Sequence, residues 1–233
     1  MSKFEVVEKF ISVNGEGNKA GQLSVFIRFK GCNLNCDYCD TKWANVHNAA
    51  YNEMNEFEIY KYIKDTGIKN VTLTGGEPLF RENIQVLLKL LGVDENINVE
   101  IETNGSIDIE EFMEVCENIR FTMDYKLPSS GMENKMNLHN LEIIRKEDTV
   151  KFVVGSEADL SRAKEIIDEY SLAGRCHIYL SPVFGRIEPV KIVNFMKDNM
   201  MNDVNLQIQL HKIIWEPDKI GVMLGMDPEE VKQ

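Results

Sequence analysis

Apolar and polar residues alternate loosely over Phe4–Val13, which predicts a strand ending at Asn14-Gly15-Glu16-Gly17. Ser24-Val25-Phe26-Ile27-Arg28-Phe29-Lys30 alternates more cleanly and predicts a second strand. Arg28 and Lys30 share one face of it, because successive side chains of a strand point to opposite sides. Residues 42–56 are polar and irregular and read as a loop, with His47 a surface or packing residue. Residues 57–66 follow a helical period with Phe57, Tyr60 and Ile63 inward, closed by Gly67. From there strand and helix patterns take turns. Stretches 71–74, 98–102, 120–125, 149–154, 176–180 and 205–210 predict strands. Apolar stripes predict helices at Ile84, Leu87, Leu88 and Leu91, at Ile109, Phe112, Met113, Cys116 and Ile119, and at Leu160, Ala163, Ile167 and Tyr170. Two more fall over 138–144 and 189–200. Cys116 lies on an apolar stripe and reads as core filling.

Strands that alternate with helices at this spacing predict an α/β fold with a parallel sheet and right-handed crossovers. Six or seven βα units are too few for a closed eight-fold barrel. The expectation is a partial (β/α)6-type TIM barrel with an open side, built as a single domain over 1–233, since no linker, repeat or low-complexity run divides the chain.

Composition narrows the function classes. The chain has 233 residues, 43% hydrophobic and 27% charged, as a globular protein with a sizeable core shows. A formal charge of −12 argues against a nucleic-acid-binding surface, which needs a basic stripe. No apolar run is long enough to span a bilayer, and Met1-Ser2-Lys3-Phe4-Glu5 lacks the layout of a signal peptide. Five cysteines, three of them on one loop, do not read as a disulfide framework. The expected compartment is the reducing cytoplasm.

That loop carries the strongest chemical signal. Cys32, Cys36 and Cys39 are spaced C-x3-C-x2-C among Asn, Asp and Gly residues, a geometry that can turn three thiolates toward one point. Cys116 and Cys176 are distant and isolated, whereas a closed zinc site wants four ligands. Three ligands on one loop suggest a [4Fe–4S] cluster with one iron left open. Other polar motifs fall at predicted strand ends, where ligands of such folds gather. These are Gly75-Gly76-Glu77-Pro78, Glu102-Thr103-Asn104-Gly105 and Asp124-Tyr125-Lys126. Gln207, Gln209 and His211 alternate on the last predicted strand and read as lining a polar pocket.

C-x3-C-x2-C with Tyr38 before the last cysteine, followed by Gly75-Gly76-Glu77-Pro78, resembles the radical S-adenosylmethionine superfamily. More specifically, Gly15-Glu16-Gly17, Cys39-Asp40-Thr41, Glu102-Thr103-Asn104-Gly105 and Gln209-Leu210-His211-Lys212 together resemble the 7-carboxy-7-deazaguanine synthase family across nearly the whole chain. The resemblance implies a lyase of queuosine biosynthesis that contracts 6-carboxy-5,6,7,8-tetrahydropterin to the 7-deazapurine ring with loss of ammonia. It implies that Cys32, Cys36 and Cys39 hold the cluster, and that Tyr38, Gly76, Glu77, Thr103, Asn104 and Lys126 lie about S-adenosylmethionine. Thr41 would lend its hydroxyl to Mg2+, and Asn14, Gly15, Glu16, Arg28, Thr74, Gly75, Gln209 and His211 would line the substrate pocket. Of these, Glu16 would meet the guanidine-like edge of the pterin and Arg28 its carboxylate, assignments that charge complementarity supports. A flavodoxin- or ferredoxin-like electron donor and a homodimer are expected on the same ground. Two other readings stay open here: an activating enzyme for a glycyl-radical protein, and a non-catalytic iron–sulfur electron carrier, against which the missing fourth ligand counts.

Overall fold

The computed structural model describes residues 2–115 and 118–214. Nine strands form one sheet in the order β3-β1-β2-β4-β5-β6-β7-β8-β9. They are β1 (Phe4–Val13), β2 (Leu23–Phe29), β3 (Asn52–Met54), β4 (Asn70–Gly75), β5 (Asn98–Thr103), β6 (Ile119–Tyr125), β7 (Thr149–Val154), β8 (His177–Pro182) and β9 (Val204–Leu206). From β2 through β4 to β9 each neighbouring pair runs parallel, while β1 lies antiparallel between β2 and β3. The crossovers carry α1 (Lys42–Asn45), α2 (Glu56–Thr66), α3 (Ile84–Gly92), α4 (Glu110–Met113), α5 (His139–Ile143), α6 (Glu157–Glu169) and α7 (Pro189–Asp198), and α8 (His211–Ile214) follows the last strand. The sheet is open, as the count of βα units requires.

Alternation within the strands decides which side carries chemistry. On one face Val71, Leu73, Val99, Ile101, Phe121, Met123, Val150, Phe152, Ile178 and Leu180 pack against Ile59 and Ile63 of α2, Leu87, Leu88 and Leu91 of α3, and Leu160 and Ala163 of α6. Each such side chain taken out of water contributes about 2 kcal/mol before chain entropy is set against it. The intervening residues face the concave side, and apart from Phe26, Val153 and Tyr179 they are polar: Ser24 and Arg28 of β2, Thr72 and Thr74 of β4, Glu100 and Glu102 of β5, Thr122 and Asp124 of β6, Lys151 of β7 and Ser181 of β8. Strand register sets them side by side, Thr72 opposite Glu100 and Asp124 opposite Lys151. An open barrel thus has a packed outer face and a charged lumen.

Several local expectations are corrected. Residues 42–56 are not wholly irregular, because they hold α1 and the short edge strand β3, which pairs with β1. Phe57 points to solvent, and Ile59 and Ile63 face the sheet instead. The cause is the capping box at the start of α2, where Asn55 and Glu58 bond each other's backbone and fix the helix rotation. Ile119 belongs to β6 rather than to the preceding helix, which is a single turn. Cys116 lies outside the described residues. The last strand stops at Leu206, so Gln207, Gln209 and His211 do not alternate along it. Gln207 still pairs through its N–H with the Leu180 carbonyl at 2.9 Å, but its side chain then leaves the ladder.

Candidate active site

The cysteine loop leaves the C-terminal end of β2 and is pinned from three sides. Gly31, with φ of +81°, turns the chain out of the strand, and its N–H donates to the Ala44 carbonyl at 3.1 Å. The Asp37 N–H donates to Ser130 at 3.0 Å, beyond β6. Cys36 is buried, while Cys32 and Cys39 are half-buried. The Cys32 sulfur accepts from the Leu34 N–H at 3.4 Å and from the Asn104 amide at 3.5 Å. Burial pushes the Cys32 and Cys36 thiols up, and the Lys126 ammonium pulls both back toward the thiolate.

The two glycines after β4 serve this loop directly. A Cβ on Gly76 would stand 1.9 Å from the Gly31 carbonyl oxygen, and one on Gly75 would stand 2.3 Å from that of Phe29. The Gly76 N–H donates to Phe29 at 3.1 Å and the Glu77 N–H to Gly31 at 3.0 Å. Gly75 and Gly76 therefore let backbone approach backbone. The Glu77 carboxylate is wholly buried and accepts from the Thr103 hydroxyl at 2.9 Å, the Asn104 N–H at 2.6 Å and the Leu79 N–H at 3.0 Å. Burial raises its pKa to about 7. Glu77 and Thr103 thus bind each other, and Asn104 carries that link onward to Cys32 and, at 2.9 Å, to Asn33. These motifs form one rigid support around the thiols.

Lys126 reaches the same place from the end of β6. Its ammonium is buried and lies 2.9 Å from Asp124. Burial disfavours the charge, but Asp124 and Cys36 outweigh it and the pKa rises. The second oxygen of Asp124, Oδ1, is buried without a hydrogen-bond partner. Tyr38 places its ring on the other flank and donates its hydroxyl to the Val153 carbonyl at 3.3 Å. Thr41 sits beyond the last cysteine, its hydroxyl donating to Asp40 at 3.0 Å.

The donor set fits the groups that the sequence implies. Three thiols with N–H donors to sulfur suit an iron–sulfur cluster. Among the described residues their sulfurs do not converge within 4.8 Å of one another, as the ligands of a single ion would. The Thr41 hydroxyl and its neighbouring carboxylate are the hard oxygen donors that Mg2+ accepts.

The lumen beside this support has two layers. In the lower, Ser24 bonds Thr72 at 2.8 Å, and Thr72 donates to Asn14 at 3.3 Å. The Asn14 amide donates to Glu100 at 2.8 Å, and Thr122 donates to the same carboxylate at 2.5 Å. In the upper, the Thr74 hydroxyl donates to Glu102 at 2.7 Å. Lys151 donates to Glu16 at 2.6 Å and lies 3.6 Å from Asp124, while Ser181 donates to the other oxygen of Glu16 at 3.1 Å.

Glu16 arrives from the loop after β1 by a route that several contacts fix. Gly17 has φ of +75°, and a Cβ there would stand 2.6 Å from Glu100. The Gln207 side chain accepts from the Gly17 N–H at 2.7 Å and donates to its carbonyl at 3.1 Å. The Leu210 N–H donates to Gly15 at 3.4 Å.

The sequence-derived residues therefore fall into three groups. Cys32, Cys36, Cys39, Gly76, Glu77, Thr103, Asn104 and Lys126 gather around the thiols, and Asn14, Gly15, Glu16 and Thr74 gather at the lumen. Arg28 is held by Glu8 of β1, 2.9 Å away and across the antiparallel pair, so its guanidinium already has a carboxylate. Gln209 is half-buried near the start of α8; His211 begins that helix, and its side chain lies outside the described residues. Lys151 and Ser181 were missed. Lys151 stands in an otherwise apolar strand, Val150-Lys151-Phe152-Val153-Val154, and a lone cation at a concave-facing position was the signal available.

The Radical SAM superfamily model matches residues 26–154. A curated protein of Clostridium acetobutylicum, 7-carboxy-7-deazaguanine synthase, is 60% identical, covering 94% of this chain and 99% of its own length. A protein of the same name from Leptospira interrogans is 35% identical, covering 94% and 98%. Among solved structures, that of QueE from Escherichia coli superposes with a TM-score of 0.69 over 89% of this chain and 94% of its own, at 22% identity, which speaks to the fold. With the cysteine loop and its supports in place, the matches agree with the geometry: the chain belongs to the radical SAM superfamily and, within it, to the family of 7-carboxy-7-deazaguanine synthases.

Proposed function

We propose that this protein converts 6-carboxy-5,6,7,8-tetrahydropterin to 7-carboxy-7-deazaguanine with loss of ammonia, a step toward queuosine, acting as one domain in the cytoplasm. The observation that supports the reading best is the lumen. Beside the thiols it sets carboxylates, Glu16 among them, and two ammonium groups, Lys126 and Lys151, in a polar layer. A substrate with a guanidine-like edge at one end and a carboxylate at the other needs groups of both signs.

When bound, the cluster and S-adenosylmethionine supply the one-electron chemistry that takes a hydrogen atom from the substrate carbon beside the ring nitrogen. Cys32, Cys36 and Cys39 would hold the cluster. The Asn104 amide and the Leu34 N–H donate to the Cys32 sulfur and fix its direction. Glu77 and Thr103 hold the loops that flank the cofactor, and Lys126 would meet the cofactor's carboxylate. Asp124 Oδ1, an acceptor without a partner, faces the same region and suits a donor from the bound ligands. Thr41 would bind Mg2+ together with the substrate. Glu16 orients the pterin by its N–H edge, and Thr74 and Gln209 border it. Arg28 could take the substrate carboxylate only by exchanging it for Glu8. A flavodoxin- or ferredoxin-like reductant and a homodimeric assembly complete the reading on family relation. Among the described residues no helix is long and apolar enough to cross a membrane.

The test is anaerobic turnover of the reconstituted protein with S-adenosylmethionine, reductant, Mg2+ and the pterin, read by mass spectrometry. A product lighter than the substrate by one ammonia is expected. Reductive cleavage of the cofactor without that product would keep the radical chemistry and discard the pterin.

A further inference from the structure

The Cys32 sulfur accepts from two donors of different kinds. The Leu34 N–H, 3.4 Å away, belongs to the cysteine loop itself. The Asn104 amide, 3.5 Å away, comes from a buried residue in the turn after β5, 72 positions along the chain. A side-chain amide can present either end to a sulfur, and the neighbours decide which. The Ser106 N–H, which can only donate, lies 3.0 Å from Asn104 Oδ1, and the Ser106 hydroxyl donates to the same oxygen at 2.6 Å. Nδ2 is therefore the end that faces Cys32. Its second proton goes to Asn33 Oδ1 at 2.9 Å, and the Asn33 amide donates in turn to the Ser106 hydroxyl at 2.8 Å. Asn104, Asn33 and Ser106 thus close a ring in which every member donates and accepts, and both protons and both lone pairs of the Asn104 amide are used. Bonds that run in one sense around a ring polarise one another.

We infer that this ring sets the reduction potential of the cluster, with Ser106 as its positioning residue: Ser106 holds the Asn104 amide so that one N–H points at the Cys32 thiolate, and that N–H favours the reduced cluster. The inference rests on the cluster held by Cys32, Cys36 and Cys39 and not on the identity of the substrate. In the reductive step one electron passes from the reductant to the cluster. No bond breaks and no atom leaves, and the added charge spreads over iron and sulfur, Cys32 Sγ included. A donor aimed at that sulfur interacts more strongly after the charge arrives than before, so it draws the potential upward.

The Lys126 ammonium acts on Cys32 and Cys36 through its charge, whereas Asn104 acts through a bond whose direction Ser106 fixes. The two effects are therefore separable by substitution. Without the Ser106 hydroxyl, Asn104 Oδ1 keeps the Ser106 N–H, but the Asn33 amide loses its acceptor and the ring opens. Asn104 itself stays placed by its own N–H, which donates to the buried Glu77 carboxylate at 2.6 Å. The amide is then freer to turn away from the sulfur, and part of the effect on the cluster goes with it.

The test is the midpoint potential of the cluster, read by electron paramagnetic resonance in anaerobic redox titrations of the reconstituted full chain without S-adenosylmethionine. Iron and sulfide are measured alongside, so that each titration is referred to the loaded fraction. Wild type is compared with Asn104→Leu, which removes the donor at similar size, and with Ser106→Ala and Ser106→Thr. Asn104→Leu should lower the equilibrium constant for reduction about tenfold, which for one electron is a midpoint about 59 mV more negative. Ser106→Ala should lower it about threefold, and Ser106→Thr, which keeps a hydroxyl, should stay close to wild type. A residue that only held the loop would lower the iron content and leave the midpoint of the loaded fraction unchanged. If Asn104→Leu takes up no cluster, the two Ser106 variants decide the matter, since neither alters Asn104. A wild-type midpoint in Ser106→Ala, equal shifts in both Ser106 variants, or a loaded Asn104→Leu with the wild-type midpoint overturns the inference and leaves the cluster and the pterin reading standing. Wild type that takes up no reducible cluster overturns the inference together with the assignment of the three thiolates.

Discussion

Glu100 shows how a buried charge is tolerated for the sake of placement. Its carboxylate forms the floor of the lumen, accepts from Asn14 and Thr122, and lies against Gly17, so it locates the loop that carries Glu16. Burial raises its pKa to about 7 from the ordinary value of 4.5, the two hydrogen bonds offsetting only part of the effect. The folded protein therefore holds a proton that the unfolded chain has already released. Stability contributed at this position is present below about pH 4.5 and is lost as pH rises toward about 7, a fall of roughly 3 kcal/mol. In Glu100→Gln the side chain cannot ionise, and the Thr122 hydroxyl can rotate to suit the amide. Urea unfolding at about pH 5 and about pH 8 should show a smaller loss of stability for the variant than for wild type, most of the difference arising at the alkaline end. An equal loss in both would mean that Glu100 is ionised throughout. Such a residue was only half legible in the sequence. The alternation of 98–102 marks Glu100 and Glu102 as sharing a face, but nothing local says whether that face is a lumen or open water.

Motifs that look separate along the chain prove to be one device when their turns are set together. Cys32 to Cys39, Gly75-Gly76-Glu77 and Thr103-Asn104 leave three parallel strands side by side; the first two turns bond backbone to backbone, and the Glu77 carboxylate ties in the third. The cysteine spacing and the strand–helix rhythm were plain in the sequence because each depends on a short, regular interval. The mutual support was not, because it depends on register between strands tens of residues apart. The same limit explains the misread last strand, where Gln207 and Gln209 obey the strand period while tertiary contacts end the ladder. Gly76 tests the idea of mutual support. In Gly76→Ala the added methyl meets the Gly31 carbonyl, which is backbone and cannot swing away. The turn should be pushed off the cysteine loop, with a stability loss of about 2 kcal/mol or more and iron and sulfide content after reconstitution well below that of wild type. Gly67→Ala is the control, since Gly67 has φ of +70° with nothing within 4 Å. It should cost about 1 kcal/mol through strain alone and load its cluster fully. Equal loading in both variants would separate the glycine pair from the cluster's support.

An open barrel must keep its two edges, β3 and β9, from leaving the lumen wet. In this molecule the loop after β1 does much of that, crossing toward the far end of the sheet, where side chains rather than strands receive it. Gln207, placed one residue past β9, clasps both the N–H and the carbonyl of Gly17, 190 residues away in sequence. Asn18 reaches His177 at the start of β8 at 3.2 Å, and Leu210 bonds Gly15. The loop that bears Glu16 is therefore tied at once to the first and last strands. Gln207→Ala removes one side chain and orphans two buried backbone groups, which costs about 2 kcal/mol if water does not reach them. Its larger effect should be on placement. Glu16 would keep its chemistry but lose its fixed position, so KM for the pterin should rise several-fold while kcat at saturating substrate changes little. Gln207→Glu separates the two roles. A carboxylate can still accept from the Gly17 N–H but cannot donate to its carbonyl, and it should fall between wild type and alanine in both stability and KM. If alanine lowers kcat as strongly as it raises KM, then Gln207 acts on the reacting groups themselves, and the loop's anchorage is not what the strap contributes.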